Sequence, residues 1–174
     1  ASCPGLRDRG LAFGSFGKLL QVTGWKIGWA VGPAALTAEL RKVHQYDVFS
    51  TGAPLQAALA AFLPTPEGRQ HLAGLAAMYQ SKRDRLLAGL EDTAWRCTPA
   101  AGGFFQVLDA SGIIDGNDGH WAREWTRTHG IATIPLSAFY TPPHPQLRLC
   151  FAQDDATLDA AVDRLRHIAD DHAH

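Results

Sequence analysis

The 174-residue sequence is short of several things at once. It holds three cysteines, Cys3, Cys97 and Cys150, odd in number, far apart and without a C-x-x-C pair. That argues against a disulfide framework or a thiolate zinc site and points to a reducing, cytoplasmic setting. No apolar run approaches the ~18 residues of a membrane span. The opening Ala1-Ser2-Cys3-Pro4-Gly5 lacks the basic-then-apolar order of a signal peptide. Neither charge sign is in excess: sixteen Lys and Arg are interspersed with seventeen Asp and Glu. Such a chain has no basic stripe for nucleic acid and no polybasic patch for a membrane surface. Its eight histidines include His167, His172 and His174 near the end, and none falls in an H-E-x-x-H or similar spacing, so no metal site is expected. Methionine occurs once, as Met78, and the chain opens without one in what reads as a loop. A piece of a longer protein is the expectation.

What is present suits a globular core. Hydrophobic residues make up 46% of the chain and charged residues 19%, a balance that argues against disorder. Leu11-Ala12-Phe13 reads as a short buried strand, and Ile27 to Gly32 as a second strand, stopped by Pro33. Gly24, Gly28 and Gly32 recur every four residues, which on a strand puts all three on one face with room for close backbone approach. Ala34 to His44 has Leu36, Leu40 and Val43 at helical spacing, and Pro54 opens a second helix reaching Leu63. Thr65-Pro66-Glu67 is a helix start, with Thr as cap, Pro first and Glu at the positive end of the dipole. The helix that follows is long, roughly 26 residues or ~39 Å. Beyond it, strands are expected at 95–98, 104–108, 131–134 and 147–151, with Asp118 capping one helix and Asp154 preceding the last. Pro135 to Pro145 reads as a proline-dense loop. Trp121, Ala122 and Trp125 form the inner face of the Asp118 helix, as core rather than ligand platform.

One stretch does not read as scaffold. Ser15-Phe16-Gly17-Lys18 sets a lysine in a small-residue turn between apolar runs, and Lys26 follows behind Thr23-Gly24-Trp25. A phosphate loop of an NTPase would need glycine at position 12 and Ser or Thr at position 19; Ala12 and Leu19 stand there. Ser15-x-x-Lys18 matches the S-x-x-K motif of acyl-serine enzymes, but the S-D-N and K-T-G partners are missing. Two readings remain open. Lys18 is a surface lysine in a glycine-containing turn, or it is an amine nucleophile held in low dielectric by Phe16, Leu19, Leu20 and Val22. An amine that attacks a carbonyl must be neutral, which desolvation and a nearby cation such as Lys26 both favour. Eight residues span up to ~28 Å if extended, so the segment must fold back to bring both lysines to one ligand. Ser15 would offer a hydroxyl, and Lys26 a compact charge, to a phosphate.

These residues carry a family likeness. Ser15 to Lys18 followed by Val22-Thr23-Gly24-Trp25-Lys26-Ile27-Gly28 resembles the class I/II aminotransferases of pyridoxal 5′-phosphate (PLP) fold type I. The likeness continues through 41–46, Phe49-Ser50-Thr51, Pro54-Leu55-Gln56 and Gly102-Gly103-Phe104-Phe105, and ends at Leu147-Arg148-Leu149-Cys150-Phe151-Ala152. Within the class it is most similar to the methionine and kynurenine (glutamine) aminotransferase group. The resemblance implies that Lys18 forms the Schiff base with PLP and shuttles a proton, and that Ser15 and Lys26 bind the 5′-phosphate. It implies that Arg148 pairs with the substrate α-carboxylate, that the Gly102-Gly103-Phe104 turn lies near the substrate, and that Phe49 to Thr51 sit near a partner subunit's site in a homodimer. On strand spacing alone, Arg148 is an arginine on the polar face of an edge strand.

The implied fold is α/β. Residues 1–66 are the end of a PLP-binding large domain, and 67–174 are an interdomain helix plus a small α+β domain. Family members are longer, and their earlier half supplies the acidic partner of the pyridine nitrogen, a tyrosine, the ring-stacking aromatic and most of the sheet. The implied activity is transamination between an amino acid and a 2-oxo acid. A non-catalytic remnant and a PLP lyase of the same fold are the alternatives.

Overall fold

A computed structural model describes residues 3–114, 116–141 and 145–172. Ala1, Ser2, Asp115, Pro142 to His144 and the final Ala173-His174 lie outside the described residues, so parts of the expected opening loop and of the 135–145 loop, and His174, are not described. The chain divides into two compact units, Ala1–Leu75 and Ala76–His174.

In the first unit, β1 (Ala12–Ser15) and β2 (Gly28–Val31) pair antiparallel, with Ala12 opposite Val31 and Ser15 opposite Gly28. Their connection, residues 16–27, holds a single helical turn, α1 (Phe16–Leu19), and a 3-10 turn at Thr23–Trp25. The glycine expectation holds in part. A methyl group on Gly28 would come within 2.7 Å of the Gly14 carbonyl oxygen, and one on Gly32 within 2.9 Å of that of Gly10. Gly24 lies in the 3-10 turn with open space beside it, because the strand begins only at Gly28. Trp29 lays its indole across Gly14, where a β-carbon would collide with the ring.

Two helices follow, α2 (Ala34–Asp47) and α3 (Ala53–Phe62), the latter with Pro54 in its first turn. The helix α2 runs past His44 to Asp47. Its Leu36–Leu40–Val43 stripe has helical spacing, yet α2 buries no residue. In this unit the buried apolar side chains among the described residues are Ile27 and Leu59. Next comes α4 (Pro66–Gly89), within which the division between the units falls. Thr65 caps it as expected: its Oγ1 accepts from the Gly68 N–H at 3.0 Å.

The second unit packs a three-stranded antiparallel sheet against helices. The sheet order is β3 (Phe105–Asp109), β5 (Gln146–Cys150), β4 (Ile134–Pro135). The helices α5 (Asp118–Thr128) and α6 (Asp155–Asp171) complete it. One continuous core joins Leu86 and Leu90 of α4, Trp95, Leu108, Trp125 of α5, Leu147, Leu149 and Phe151, and Leu158, Val162, Leu165 and Ile168 of α6. That stripe on α6 recurs at helical spacing. Trp95 closes it by donating its indole N–H to the Leu165 carbonyl at 2.8 Å.

Several expectations are corrected here. The strand expected at 95–98 shrinks to one bridge, Arg96 opposite Asp109, with backbone bonds of 3.0 and 2.8 Å. The strand at 131–134 becomes Ile134–Pro135, because Ile131 is spent in the core before pairing begins. Asn117, not Asp118, caps α5: its side chain accepts from the His120 N–H at 2.9 Å. Asp118 turns inward instead, fully buried, with Oδ2 accepting from the Ser137 N–H at 2.9 Å. Gly130 follows the end of α5 at a φ of 63°. Asp154 caps α6 through the Thr157 N–H at 2.8 Å.

Candidate active site

Ser15, Lys18 and Lys26 all sit on the β1–β2 hairpin and its connection, so the chain does fold back between the two lysines. Backbone pairing closes the loop at its base, with Ser15 opposite Gly28 and the Phe16 N–H donating to the Ile27 carbonyl at 3.0 Å. Ser15 ends β1 in extended conformation and caps α1, its Oγ accepting from the Gly17 N–H at 3.1 Å. The Ser15 hydroxyl proton stays available to a further acceptor. Gly17 is the buried residue of α1, and a methyl there would press on Ser15 Oγ at 3.2 Å and on Thr23 Cα at 3.3 Å. Its lack of a side chain lets the helical turn nest against the 3-10 turn. At the other end of α1, His71 Nε2 lies 2.8 Å from the Leu19 carbonyl oxygen and ties the turn to α4.

Lys18 itself is exposed. The expectation that Phe16, Leu19, Leu20 and Val22 enclose it is therefore corrected. In a turn only four residues long one position faces inward, and here it is Gly17. Lys26 is also exposed and holds a left-handed backbone, φ 55° and ψ 36°. That conformation is uncommon for a long side chain and is found where surrounding structure imposes it. Lys26 lines an open cavity of about 510 Å³ with Phe13 and Trp29 of the hairpin and Leu40, Arg41 and His44 of α2. Ser15 and Lys18 do not line it. No signal in the sequence marked Arg41 or His44 for this cavity, since α2 reads there as an ordinary amphipathic face.

Arg148 belongs to the second unit. Leu147 and Leu149 point into the core and Arg148 and Cys150 to the opposite face, as alternation implied. The edge-strand reading is corrected: β5 is the central strand, and Arg148 lies opposite Val107 of β3 on one side and Ile134 of β4 on the other. Its guanidinium carbon stands 4.2 Å from the centre of the Phe105 ring and 5.1 Å from that of Phe139. Its Nε is buried without a hydrogen-bond partner among the described residues. A buried donor left unpaired is costly unless something else meets the group. The Gly102-Gly103-Phe104 turn leads into β3, with Gly103 at a φ of 78°. Gln106, fully buried, anchors that turn: its amide accepts from the Ala100 N–H at 3.1 Å and donates to the Thr98 carbonyl at 2.8 Å. The rings at Arg148 were legible only as separate aromatics, because their meeting depends on sheet register.

Nearby titrating groups are structural. Burial pushes the Cys97 thiol up, reinforced by the Asp109 charge. Burial alone would raise the Asp109 carboxyl, but hydrogen bonds from Ser111 and Gln146 and the Arg96 charge bring it below its ordinary value. Among the described residues no group of three or more His, Cys, Asp or Glu could hold a metal ion, and no helix is long and apolar enough to cross a membrane.

Solved structures share this architecture. A methionine aminotransferase from Escherichia coli superposes with a TM-score of 0.88 at 42% identity, over 94% of this chain and 43% of that one. The N-succinyldiaminopimelate aminotransferase of Mycobacterium tuberculosis gives 0.88 at 35% identity, over 97% and 44%. The fold is thus part of the PLP-dependent fold type I architecture. The aminotransferase class I and II model matches residues 5–165, and the chain belongs to that family, whose members use PLP. A kynurenine–oxoglutarate transaminase of Dictyostelium discoideum is 36% identical over 95% of this chain. The chain spans less than half the length of these curated relatives, 43% of both the Escherichia coli and the Dictyostelium proteins.

Proposed function

We propose that this chain contributes the lysine, the phosphate-binding and the carboxylate-binding residues of an amino-acid aminotransferase. The observation that carries this reading is the closed hairpin connection, which presents an amine, a hydroxyl and a second cation from one loop paired at its base. The donor set fits PLP: Lys18 for its carbonyl carbon, and Ser15 Oγ and Lys26 Nζ for its phosphate. PLP, when bound, supplies the electron sink for chemistry at the amino acid's α-carbon. Lys18 would hold the cofactor and, once released, carry a proton to and from that carbon. Lys26 and the Ser15 hydroxyl would fix the phosphate end, so that the loop sets the ring's orientation. Arg148 would orient the substrate by its carboxylate through the planar edge of the guanidinium.

In this reading residues 1–66 are the end of the cofactor-binding large domain, and 67–174 are an interdomain helix plus a small C-terminal domain. The substrates are an amino acid and a 2-oxo acid. The assembly is a homodimer, with Phe49 to Thr51 near the partner's site, and a reducing cytoplasmic setting suits three free cysteines. The exposure of Lys18 favours a second reading for the chain by itself: it binds PLP weakly or not at all and does not turn over. The test is borohydride trapping. After incubation with PLP, peptide mass mapping is expected to find the cofactor attached at Lys18 and lost in Lys18→Ala. Labelling spread evenly over surface lysines sinks the assignment. With trapping at Lys18, a panel of amino acids plus a 2-oxo acid separates transfer from elimination, which releases ammonia.

A further inference from the structure

Arg148 differs from the ion-paired arginines of its unit in what surrounds it. Arg85 spends Nε and one Nη on Asp159, both at 2.6 Å. Arg83 spends its donors on Asp84 and the Ala100 carbonyl. Arg148 faces rings. Phe105, two residues before Val107 on the neighbouring strand, presents its ring to the guanidinium at 4.2 Å, and Phe139, just past the 3-10 turn at Leu136–Ala138, closes in at 5.1 Å. Phe105 is in turn buttressed by Phe104, ring centre to ring centre 4.5 Å, and Phe104 by Tyr79 at 6.0 Å. A ring attracts a cation through its face without accepting any N–H in the guanidinium plane. A carboxylate on Arg148 would consume those in-plane donors; a phenyl ring leaves them free. Two rings also restrict an otherwise rotamer-rich side chain, so less freedom is lost when a ligand arrives.

We propose that Phe105 and Phe139 are positioning residues that clamp the Arg148 guanidinium between aromatic rings, keeping its hydrogen-bonding edge free and preset for a monocarboxylate. This rests on the carboxylate-binding role proposed for Arg148. Neither ring touches the reacting atoms; both act through the arginine.

The test uses the full 174-residue chain labelled with ¹⁵N-arginine, with isocaproate as probe and isocaproamide as the uncharged control. The Arg148 Nε–H signal, identified by its loss in Arg148→Lys, is expected at unusually high field from the ring currents. It should move with isocaproate and not with the amide. Phe105→Leu and Phe139→Leu are each expected to return the signal toward ordinary field and to weaken isocaproate binding roughly 3- to 10-fold. Phe105→Tyr, which keeps a π face, should restore both. In an Arg148→Gln background, Phe105→Leu should change residual binding no further. Both phenylalanines are partly exposed, so the leucine variants are expected to melt as the parent does. Leucine variants that shift the resonance but bind isocaproate like the parent overturn the clamp while leaving Arg148 as a carboxylate site. A parent chain whose Arg148 signal ignores isocaproate overturns the carboxylate role itself, and the clamp with it.

Discussion

The two units of the chain carry similar amounts of apolar sequence and use it differently. Ala76–His174 gathers its large side chains into one core, with Leu86, Leu108, Leu147, Leu165 and Ile168 fully buried. In Ala1–Leu75 the side chains of Phe13, Val31, Val43, Tyr46 and Phe49 remain exposed, Tyr46 at 88% and Phe49 at 79%. Scattered exposed apolar residues are ordinary, but a hairpin and a helix that both present theirs make a face of the kind other polypeptide covers. The contrast follows the chemistry. The first unit carries Ser15, Lys18 and Lys26, the residues proposed above to hold the cofactor, on its exposed hairpin connection. The second carries Arg148, the proposed carboxylate-binding residue, on a sheet whose inner face is buried in the core. Relatives more than twice as long match both units.

Truncations in the core should expose the contrast most sharply. Leu108→Ala or Leu165→Ala is expected to cost about 2–5 kcal/mol in urea unfolding, as full burial dictates, whereas Val43→Ala should stay within about 0.5 kcal/mol. Equal losses would break the comparison. Next, Gly28→Ala drives a methyl toward the Gly14 carbonyl and should destabilise the hairpin by about 1–3 kcal/mol, loosening PLP attachment at Lys18 in step. An unaffected hairpin would mean that its close backbone approach is not needed. Removing the cap of α4 with Thr65→Ala should cost about 1 kcal/mol, seen as a lower denaturation midpoint. The smallest effect is on pH. The backbone N–H of Thr157 holds the Asp154 carboxyl below its ordinary value, and hydrogen bonding from Arg85 does the same for Asp159. Both are depressed in the folded state, so their stabilisation is present above the unfolded carboxyl's value and lost as pH falls through the lower folded one. The urea midpoint of the second unit should drop in that acid range, less so in Asp154→Asn and Asp159→Asn. A parent and variants with superimposable pH profiles would remove these caps and pairs from the account.

Much of this was legible in local sequence. Thr65-Pro66-Glu67 announced α4 and Asp154 announced α6, because capping chemistry acts within a few residues. Alternation correctly turned Leu147 and Leu149 inward and Arg148 outward. The misses share one cause. Asp118 looks like a cap, but its burial depends on Ser137, far along the chain. The stripe on α2 looks like a core face, yet burial needs a partner that spacing cannot supply. Lys18 was expected to be enclosed because its neighbours are apolar, and the single turn of α1 put Gly17 inside instead.

The sequence by itself determined the family, through the Ser15–Lys18 and Thr23–Lys26 motifs, and the existence of most helices, through capping chemistry and a 3.6-residue period. Only tertiary structure decided that Ser15, Lys18 and Lys26 share one closed loop, since that follows from the pairing of Ser15 with Gly28. Only tertiary structure decided that Arg148 sits on a central strand with its guanidinium against two phenyl rings. Sheet order and register are set by contacts between distant residues, and no local pattern encodes which strand takes the middle.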